Sequence, residues 1–481
     1  MKAQTKIVRI VVGMIAVAAA ALCGRPLRAQ QEGEEKPKPA ARVLLPLPDL
    51  SGDQQDSDQG NQTLQPDHGP VTGVQNATLG TSQLRHSYWV TGLQYSNTAQ
   101  TNSVSSTQTS GWTTTNYASG NLSMLEAWSH SLLGVNYSGG GFFSSDSAQG
   151  NGQFHQLSSA WELDHRRWQA LFLEQFSYLP QTSFGFGGTS GLAVPGITGA
   201  LAVPLPGLQQ VFVPGQSVLS AIGPRRSSAS AAQLTYAVSR RGVITVAGVY
   251  GLLRFSNPGN INNDSEILSV GYNYAITRKD FLGVIYRFTA YHYPGDPQAL
   301  GDHVAQLMYG RRITGRLALN LAGGPDLTRF RLPVNGTKQS ISGGGVASLS
   351  YAFSKSSIRL SYSHGIGSGS GVFSGSSTDE LTAAWSRPLS RAWNSTLNVG
   401  YARNSTIVTI KGLSSPSYGS WLTGAGLQRP LGGTARLSFG YQAQIQTSSG
   451  ILCTSGACQT TDVTHQIQMS FQWNAPPQVI R

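Results

Sequence analysis

Apolar and polar residues alternate with a period of two along most of the chain from Arg85 onward. In the segment 435–445 the odd-numbered positions are apolar and the even-numbered positions are polar residues or glycine. The same alternation recurs in the segments 317–321, 358–363, 397–401 and 463–473. Period two is typical of β-strands with one apolar face and one polar face, and helical periodicity is weak. The pattern therefore predicts an all-β chain.

The connections between these segments fall into two kinds. Short polar turns are expected at 129–131, 164–167, 239–242, 277–280, 313–316, 354–357, 388–391 and 430–433. Longer stretches lie between them, at 97–113, 144–151, 179–229, 257–264, 292–300, 330–338, 366–373, 404–416 and 447–460. Alternating short and long connections predict about 18 strands with both ends on the short-turn side, the organisation of a transmembrane antiparallel up-and-down β-barrel.

Tryptophan placement supports a membrane barrel independently of the strand pattern. Six tryptophans lie within a few residues of a predicted short turn or of the end of the last strand: Trp128, Trp161, Trp168, Trp385, Trp393 and Trp473. Amphipathic rings concentrate where a membrane barrel meets the lipid headgroups, so we expect a membrane girdle here. The alternative is the general tendency of aromatic residues to lie at strand ends.

These features of residues 85–481 resemble the bacterial outer-membrane β-barrel superfamily, in particular porin-like barrels. The resemblance rests on the strand pattern and on no diagnostic motif, so it points to no specific family. It implies a Gram-negative outer-membrane protein with membrane lipids and the barrel-assembly machinery as partners. Such barrels end in an alternating strand with a terminal aromatic residue; Gln466–Trp473 matches this, but residues 474–481 continue beyond it.

The first 84 residues read as two segments that precede the barrel. Residues 1–29 have a basic start, a short apolar run and a small residue at their end, as a cleaved signal peptide does. Residues 30–84 are acidic, rich in Pro and Gln and without aromatic residues, so a disordered periplasmic arm is expected. An apolar segment at 42–50 interrupts the arm, and its role as docking peptide, plug or plain linker stays open.

Composition agrees with a barrel that exposes half of each strand to lipid. Only 12% of the residues are charged, and the chain contains 57 glycines. The formal net charge of +12 raises polyanion binding as a possibility. Much of the basic charge, however, lies in the signal peptide and at predicted short turns, where solvation explains it. We therefore expect no nucleic-acid partner.

Outside the signal peptide the chain has two cysteines, Cys453 and Cys458. Their short separation within a predicted long loop suits a disulfide that closes the loop in an oxidising compartment. A free thiol pair is the alternative. Two thiols alone do not make a structural zinc site, so no metal or cofactor is expected.

The third long connection, 179–229, is the candidate for a constriction inside the barrel. It is rich in Pro and Gly, has no acid and is largely apolar, so we expect it to fold against something. Porin-like barrels fold their third loop into the lumen, and the resemblance implies the same role here. The residues assigned to this constriction loop are Phe184, Phe186, Arg225 and Arg226.

Strand parity and the cost of a charge facing lipid assign six charged residues to the pore lining. These are Arg287, Arg359, Arg436, Glu126, Glu162 and Glu174. The arginines favour either an electropositive constriction that prefers anions or ion pairs that brace the wall, and the sequence leaves both open.

No signature of an enzyme occurs in the chain: HExxH and a GxSxG motif at a strand-to-helix turn are both lacking. The resulting hypothesis is a channel for passive diffusion of small hydrophilic solutes, with a preference for anions. Two alternatives stand beside it: an exporter of an acidic exopolysaccharide, and a non-conducting structural or adhesive surface barrel. The oligomeric state is left undetermined.

Overall fold

A computed structural model describes the following residues, to which the structural statements below apply. They are 87–101, 111–145, 150–179, 224–256, 260–277, 279–332, 336–369, 373–390, 392–407, 417–449 and 461–479. The predicted signal peptide, the acidic arm and both mature cysteines lie outside these ranges.

The described chain forms β-strands joined by turns and loops. Their bounds are β1 Tyr88–Thr101, β2 Trp112–Ala127, β3 Ser131–Ser144, β4 Gly152–His165, β5 Trp168–Leu179, β6 Arg225–Ala237, β7 Gly242–Phe255, β8 Asn263–Ala275, β9 Asp280–His292, β10 Ala299–Arg312, β11 Leu317–Leu332, β12 Gly336–Ala352, β13 Ser357–Gly367, β14 Ser376–Pro388, β15 Asn394–Thr406, β16 Ser417–Leu431, β17 Ala435–Ser449, β18 Thr461–Asn474 and β19 Gln478–Val479. None of the described residues belongs to a helix long and apolar enough to cross a membrane.

The strands form one closed antiparallel sheet. Each strand from β1 to β18 pairs with its neighbours in chain order, and β18 pairs back with β1 from Gly92↔Asn474 to Gln100↔Gln466. The short β19 adds two pairs with the start of β1, Tyr88↔Val479 and Trp89↔Gln478. The predicted 18-strand up-and-down barrel is therefore confirmed, and the residues beyond Trp473 extend the seam between the first and last strands.

All eight predicted short turns lie between the observed strands, at the positions the sequence indicated. Four of these turns contain a Ser or Thr whose hydroxyl accepts the backbone N–H groups two and three residues later. They are Ser239, Thr277, Thr314 and Ser390. This local hydrogen bonding satisfies amides that would otherwise be unpaired in a tight reversal, which explains why polar residues mark the short turns.

The two faces of each strand differ in both chemistry and exposure. On β1, Leu93 and Tyr95 are 63% and 52% exposed on the outward face, whereas Gln94 and Ser96, which alternate with them, are buried on the inward face. An apolar exposed face and a polar inner face are the arrangement of a barrel that spans a lipid bilayer. On β5–β8 the inner face also contains a small apolar core that includes Leu171, Val249 and Ile267.

The β10–β11 ladder is interrupted where Pro325 lacks a backbone N–H group. Pairing is recorded at Val304↔Asp326 and resumes at Leu307↔Gly323. At the neighbouring Gly324 a Cβ atom would collide with the backbone carbonyl oxygen of Ala305. A residue without a side chain is therefore required for the two backbones to approach this closely.

The substitution Gly324→Ala is expected to destabilise the barrel by about 1–3 kcal/mol, because the added methyl group must displace a backbone rather than a flexible side chain. The measurement is the temperature at which the folded barrel loses its compact, SDS-resistant gel mobility. Gly343→Ala on β12 is the matched control, since no atom lies within 4 Å of its added Cβ. Equal unfolding temperatures for the two variants would contradict the close approach.

Candidate functional site: the barrel lumen

Polar side chains cover most of the inner wall. Glutamine, asparagine, serine and threonine alternate with outward apolar residues on strands around the whole circumference. Buried examples are Gln94, Ser96, Thr98, Gln100, Asn136, Ser138, Ser158, Gln175, Gln233, Ser269, Asn273, Gln306, Gln466, Ser470 and Gln472. Neutral polar groups of this kind can exchange hydrogen bonds with water and with hydroxylated solutes, so the wall suits a hydrophilic interior.

Four of the six predicted pore-lining residues lie on the inner face. Arg287, Arg359 and Arg436 alternate with outward apolar neighbours such as Tyr286 and Leu360, and Glu162 follows the outward Trp161. Glu162 accepts a hydrogen bond from the Gln169 side chain at 2.5 Å.

The other two acids, Glu126 and Glu174, lie on the outward face. Glu126 is directly opposite Leu133 near the short-turn end of β2, and Glu174 alternates with buried Gln175. The placement of these two side chains in the lumen was therefore wrong. Glu174 accepts hydrogen bonds from the hydroxyls of Ser228 (3.3 Å) and Ser230, so neighbouring polar groups offset the cost that the sequence argument assigned to lipid exposure.

Arg225 and Arg226 are the first two residues of β6 and do not lie in a loop, so their side chains point to opposite faces of the sheet. Arg225 points inward and is only 2% exposed, at the long-loop end of the wall. Arg226 is exposed on the outward face, with its guanidinium 5.6 Å from the centre of the Tyr178 ring. The sequence assigned both residues to a constriction loop, but both are strand residues: Arg225 faces the interior, and Arg226 faces outward because adjacent strand residues alternate.

Two aspartates that the sequence analysis did not single out form a buried acidic group in the wall. Asp302 on β10 and Asp326 on β11 are 0% and 1% exposed. The hydroxyl of Thr328 lies 3.4 Å from Oδ1 of each, and the two carboxyl groups are close enough to interact. Arg287 interacts electrostatically with Asp302 and is directly opposite Val304, which separates it from Asp326.

This arrangement bears on the two roles predicted for Arg287, a cation of the constriction or a brace of the wall. A buried carboxylate is costly unless a positive charge or hydrogen bonds compensate it. Arg287 interacts electrostatically with one of these acids, Asp302, without a direct ion pair, so the fold favours the bracing role for this arginine. The alternation in the sequence already places both aspartates on the inner face. Which positively charged side chain lies near them depends on the register between β9, β10 and β11, which the sequence pattern does not give.

The seventh long connection, between β13 and β14, folds against the inner side of the long-loop mouth. The carbonyl of Ser368 accepts a hydrogen bond from the Tyr293 hydroxyl at 3.1 Å, and its hydroxyl accepts one from the Asn263 side chain at 3.4 Å. The Ser374 hydroxyl donates to Asp296 at 3.2 Å. These partners lie on or beside β8–β10, several strands away along the wall, so the described residues 368–369 and 373–375 of this connection extend over part of the mouth.

An apolar cluster holds this connection in place. Tyr291, Tyr293, Leu300 and Phe330 are buried together, and the partly buried Ile261, Ile366 and Ile407 pack against them. Phe373, also buried, contacts Tyr418 at a centroid distance of 5.5 Å. Gly369 and Gly375 adopt φ values of 92° and 99°, which glycine accommodates without strain, and so allow the tight inward turn. The described part of the mouth is thus narrowed by the seventh connection.

Residues 180–223 of the third connection lie outside the described residues, and with them the predicted constriction residues Phe184 and Phe186. The same holds for the predicted disulfide between Cys453 and Cys458. These assignments stay predictions.

The six tryptophans of the predicted girdle lie close to the short-turn ends of the strands. Trp161, Trp168, Trp385 and Trp473 are on the outward face, and Trp128 and Trp393 are in short turns. Two of them stack on outward neighbours: Trp161 lies 5.7 Å from Phe172, and Trp168 lies 4.3 Å from Tyr236, between ring centroids.

No family model and no curated protein matches the chain. Among solved structures, it is similar to OccK2 (OpdF) of Pseudomonas aeruginosa, with 11% identity, a TM-score of 0.44 and coverage of 80% of this chain and 98% of that chain. It is also similar to OccK2 in complex with glucuronate, with 12% identity, a TM-score of 0.44 and coverage of 81% of this chain and 98% of that chain. For P. aeruginosa OpdK with vanillate the identity is 9%, the TM-score is 0.43 and the coverage is 81% of this chain and 98% of that chain.

Replacement of Arg287 by glutamine is expected to destabilise the barrel by about 1–2 kcal/mol, since it removes the positive charge that interacts with Asp302 without breaking a direct ion pair. Unfolding temperature by gel mobility measures the effect. Arg287→Lys keeps the charge and serves as control, and the triple variant Arg287→Gln, Asp302→Asn, Asp326→Asn should regain most of the loss. A single variant as stable as wild type would exclude the bracing role.

Proposed function

We propose that this protein is a channel of the bacterial outer membrane, through which small hydrophilic solutes diffuse passively. One observation carries the proposal: the sheet closes on itself with 18 strands, and its inner face is polar while its outer face is apolar. A barrel of 16–18 strands is wide enough to leave an aqueous path, whereas eight strands are filled by their own side chains. Membrane lipids and the barrel-assembly machinery are the partners that this location implies.

A modest preference for anions is the second part of the proposal. Arg287 interacts electrostatically with the buried Asp302, so part of its field along the path is offset. Arg359 and Arg436 lie on the inner wall, one on β13 and one near the short-turn end of β17. The inward acid Glu162 on β4 opposes them, which supports a weak selectivity rather than a strict one.

The seventh connection favours a second candidate, a surface barrel that does not conduct. Its apolar contacts with Tyr293 and Leu300 cover part of the long-loop mouth. The same contacts suit a constriction that narrows the path without sealing it. Conductance in a planar lipid bilayer separates the two: the absence of ion-permeable openings from inserted wild-type protein would refute the channel.

Phe373→Ala is expected to raise single-channel conductance, because it removes the largest side chain of the seventh connection from its contact with Tyr418. Phe353→Ala provides the matched control, since Phe353 is exposed at the short turn between β12 and β13. Recordings at one salt concentration measure the step size of each variant. If both variants conduct like wild type, the seventh connection does not limit the flow of ions.

The double variant Arg359→Gln, Arg436→Gln is expected to shift the reversal potential in a salt gradient towards cation preference. The opposite variant, Glu162→Gln, should shift the reversal potential towards stronger anion preference, because it removes negative charge from the inner wall where the double variant removes positive charge. A cation-selective wild-type protein would overturn the anion preference while leaving the channel proposal intact.

A further inference from the structure

Outward-facing tyrosines repeat one contact at several places around the barrel. Each tyrosine hydroxyl lies close to a polar side chain on the following strand. That polar residue is not the one directly opposite the tyrosine but the one two positions closer to the long loop. These outer polar pairs are Tyr95–Asn116 (2.7 Å), Tyr137–His155 (2.9 Å), Tyr286–His303 (2.8 Å), Tyr362–Asp379 (2.9 Å) and Tyr441–His465 (2.9 Å). Each distance joins the tyrosine hydroxyl to the polar partner.

The outer polar pairs lie at a common height. Their Asn, His and Asp members are about ten residues from the short-turn ends of their strands, which corresponds to about 25 Å at ~3.3 Å per residue and a tilt of about 40°. An outer-membrane barrel has an apolar band of about 25 Å. The pairs therefore mark the upper edge of the apolar band, opposite the tryptophans near the short turns.

Two exposed arginines lie just beyond this edge, on the outward face of β11. Arg329 and Arg331 are about 12 to 14 residues from the short-turn end, or roughly 30–35 Å by the same spacing. In the described part of the chain, neither guanidinium has a carboxylate within ion-pair distance. Arg254, at a similar height, instead pairs with Asp264 at 2.5 Å.

The register places two histidines around the same spot. Ala299 on β10 is directly opposite both Arg331 and His292, so these two side chains flank it from either side. Gly301 is directly opposite Arg329, and His303 follows two residues further down. Ala299 thus lies between His292 and Arg331, and Gly301 lies between Ala290 and Arg329. Asp264, the ion-pair partner of Arg254, is directly opposite His292 on its other side. The small residues leave space beside the two arginines, since the nearest atoms to a Cβ added at Gly301 are 3.9–4.0 Å away.

We propose that Arg329 and Arg331, with His292 and His303, bind the phosphate of a phosphorylated glycolipid headgroup in the outer leaflet. Guanidinium groups match phosphate oxygens through paired charge-assisted hydrogen bonds, and an imidazole can donate one more. The small residues at 299 and 301 leave room for the phosphate close to the sheet.

A lipid fits this place better than a free anion. The site faces outward at the edge of the apolar band, and exposed Leu307 and Leu321 lie on the same face below it. Acyl chains attached to the headgroup can pack along these leucines, which adds apolar contact that a free phosphate does not provide. The inference rests on the proposed outer-membrane location, but not on whether the lumen conducts.

The test is native mass spectrometry of the full chain in detergent micelles titrated with lipid A that carries both phosphates. Arg329→Gln with Arg331→Gln is expected to weaken binding about tenfold or more. The matched control is Arg226→Gln with Arg403→Gln, which removes two exposed outward arginines from the long-loop halves of β6 and β15, about 9 to 11 residues from the short-turn ends, and it should bind like wild type. Both variants are first checked for the compact gel mobility of the folded barrel.

A second arm uses wild-type protein and needs no variant. Lipid A from which the phosphates have been removed should bind at least about tenfold more weakly, and inorganic phosphate at an equal concentration should not displace the phosphorylated lipid. Equal losses in the two double variants, or no loss in either, would overturn the site. Full displacement by inorganic phosphate would overturn the lipid as its occupant. If bilayer recordings showed no channel but lipid binding followed the expected order, only the conduction proposal would fall.

Discussion

Every backbone hydrogen bond of a strand that crosses lipid has to be made within the protein, and the rest of this structure depends on that constraint. Lipid offers no donors or acceptors, so a sheet with a free edge would leave a row of unpaired N–H and C=O groups in hydrocarbon. The pairing of β18 with β1 removes that edge, and the short β19 lengthens the same seam. Closure then forces half of the side chains outward and half inward.

That division explains the unusual composition. Outward positions are apolar because they face lipid, and inward positions are short and polar because they share a common interior, so few charged residues are needed. The exceptions to the division are informative. The buried acids Asp302 and Asp326 come with Arg287, and the outward Glu174 comes with two serine hydroxyls. A charge is tolerated on either face where neighbouring groups compensate it.

The two ends of the barrel are built differently. At the short-turn end, outward tryptophans and turn hydroxyls make a compact edge whose hydrogen bonds are local. At the long-loop end, tyrosines pair with His, Asn or Asp across strands, and exposed arginines lie beyond them. Inside this same end the seventh connection packs against Tyr293 and Leu300. The end with long loops therefore carries both the narrowing of the lumen and the basic outer surface.

The sequence by itself determined the strand number, the position of every short turn and the faces of Arg287, Arg359, Arg436 and Glu162. These depend on local alternation and on turn residues, which act within a few positions of the chain. Tertiary structure alone decided which side chains meet, because register between strands brings together residues that are distant in sequence. Asp302, Asp326 and Arg287 come from three strands, and the seventh connection reaches β8–β10 across several strands. No periodicity encodes such encounters, which is why the buried acids and the inward seventh connection were found only in the folded barrel.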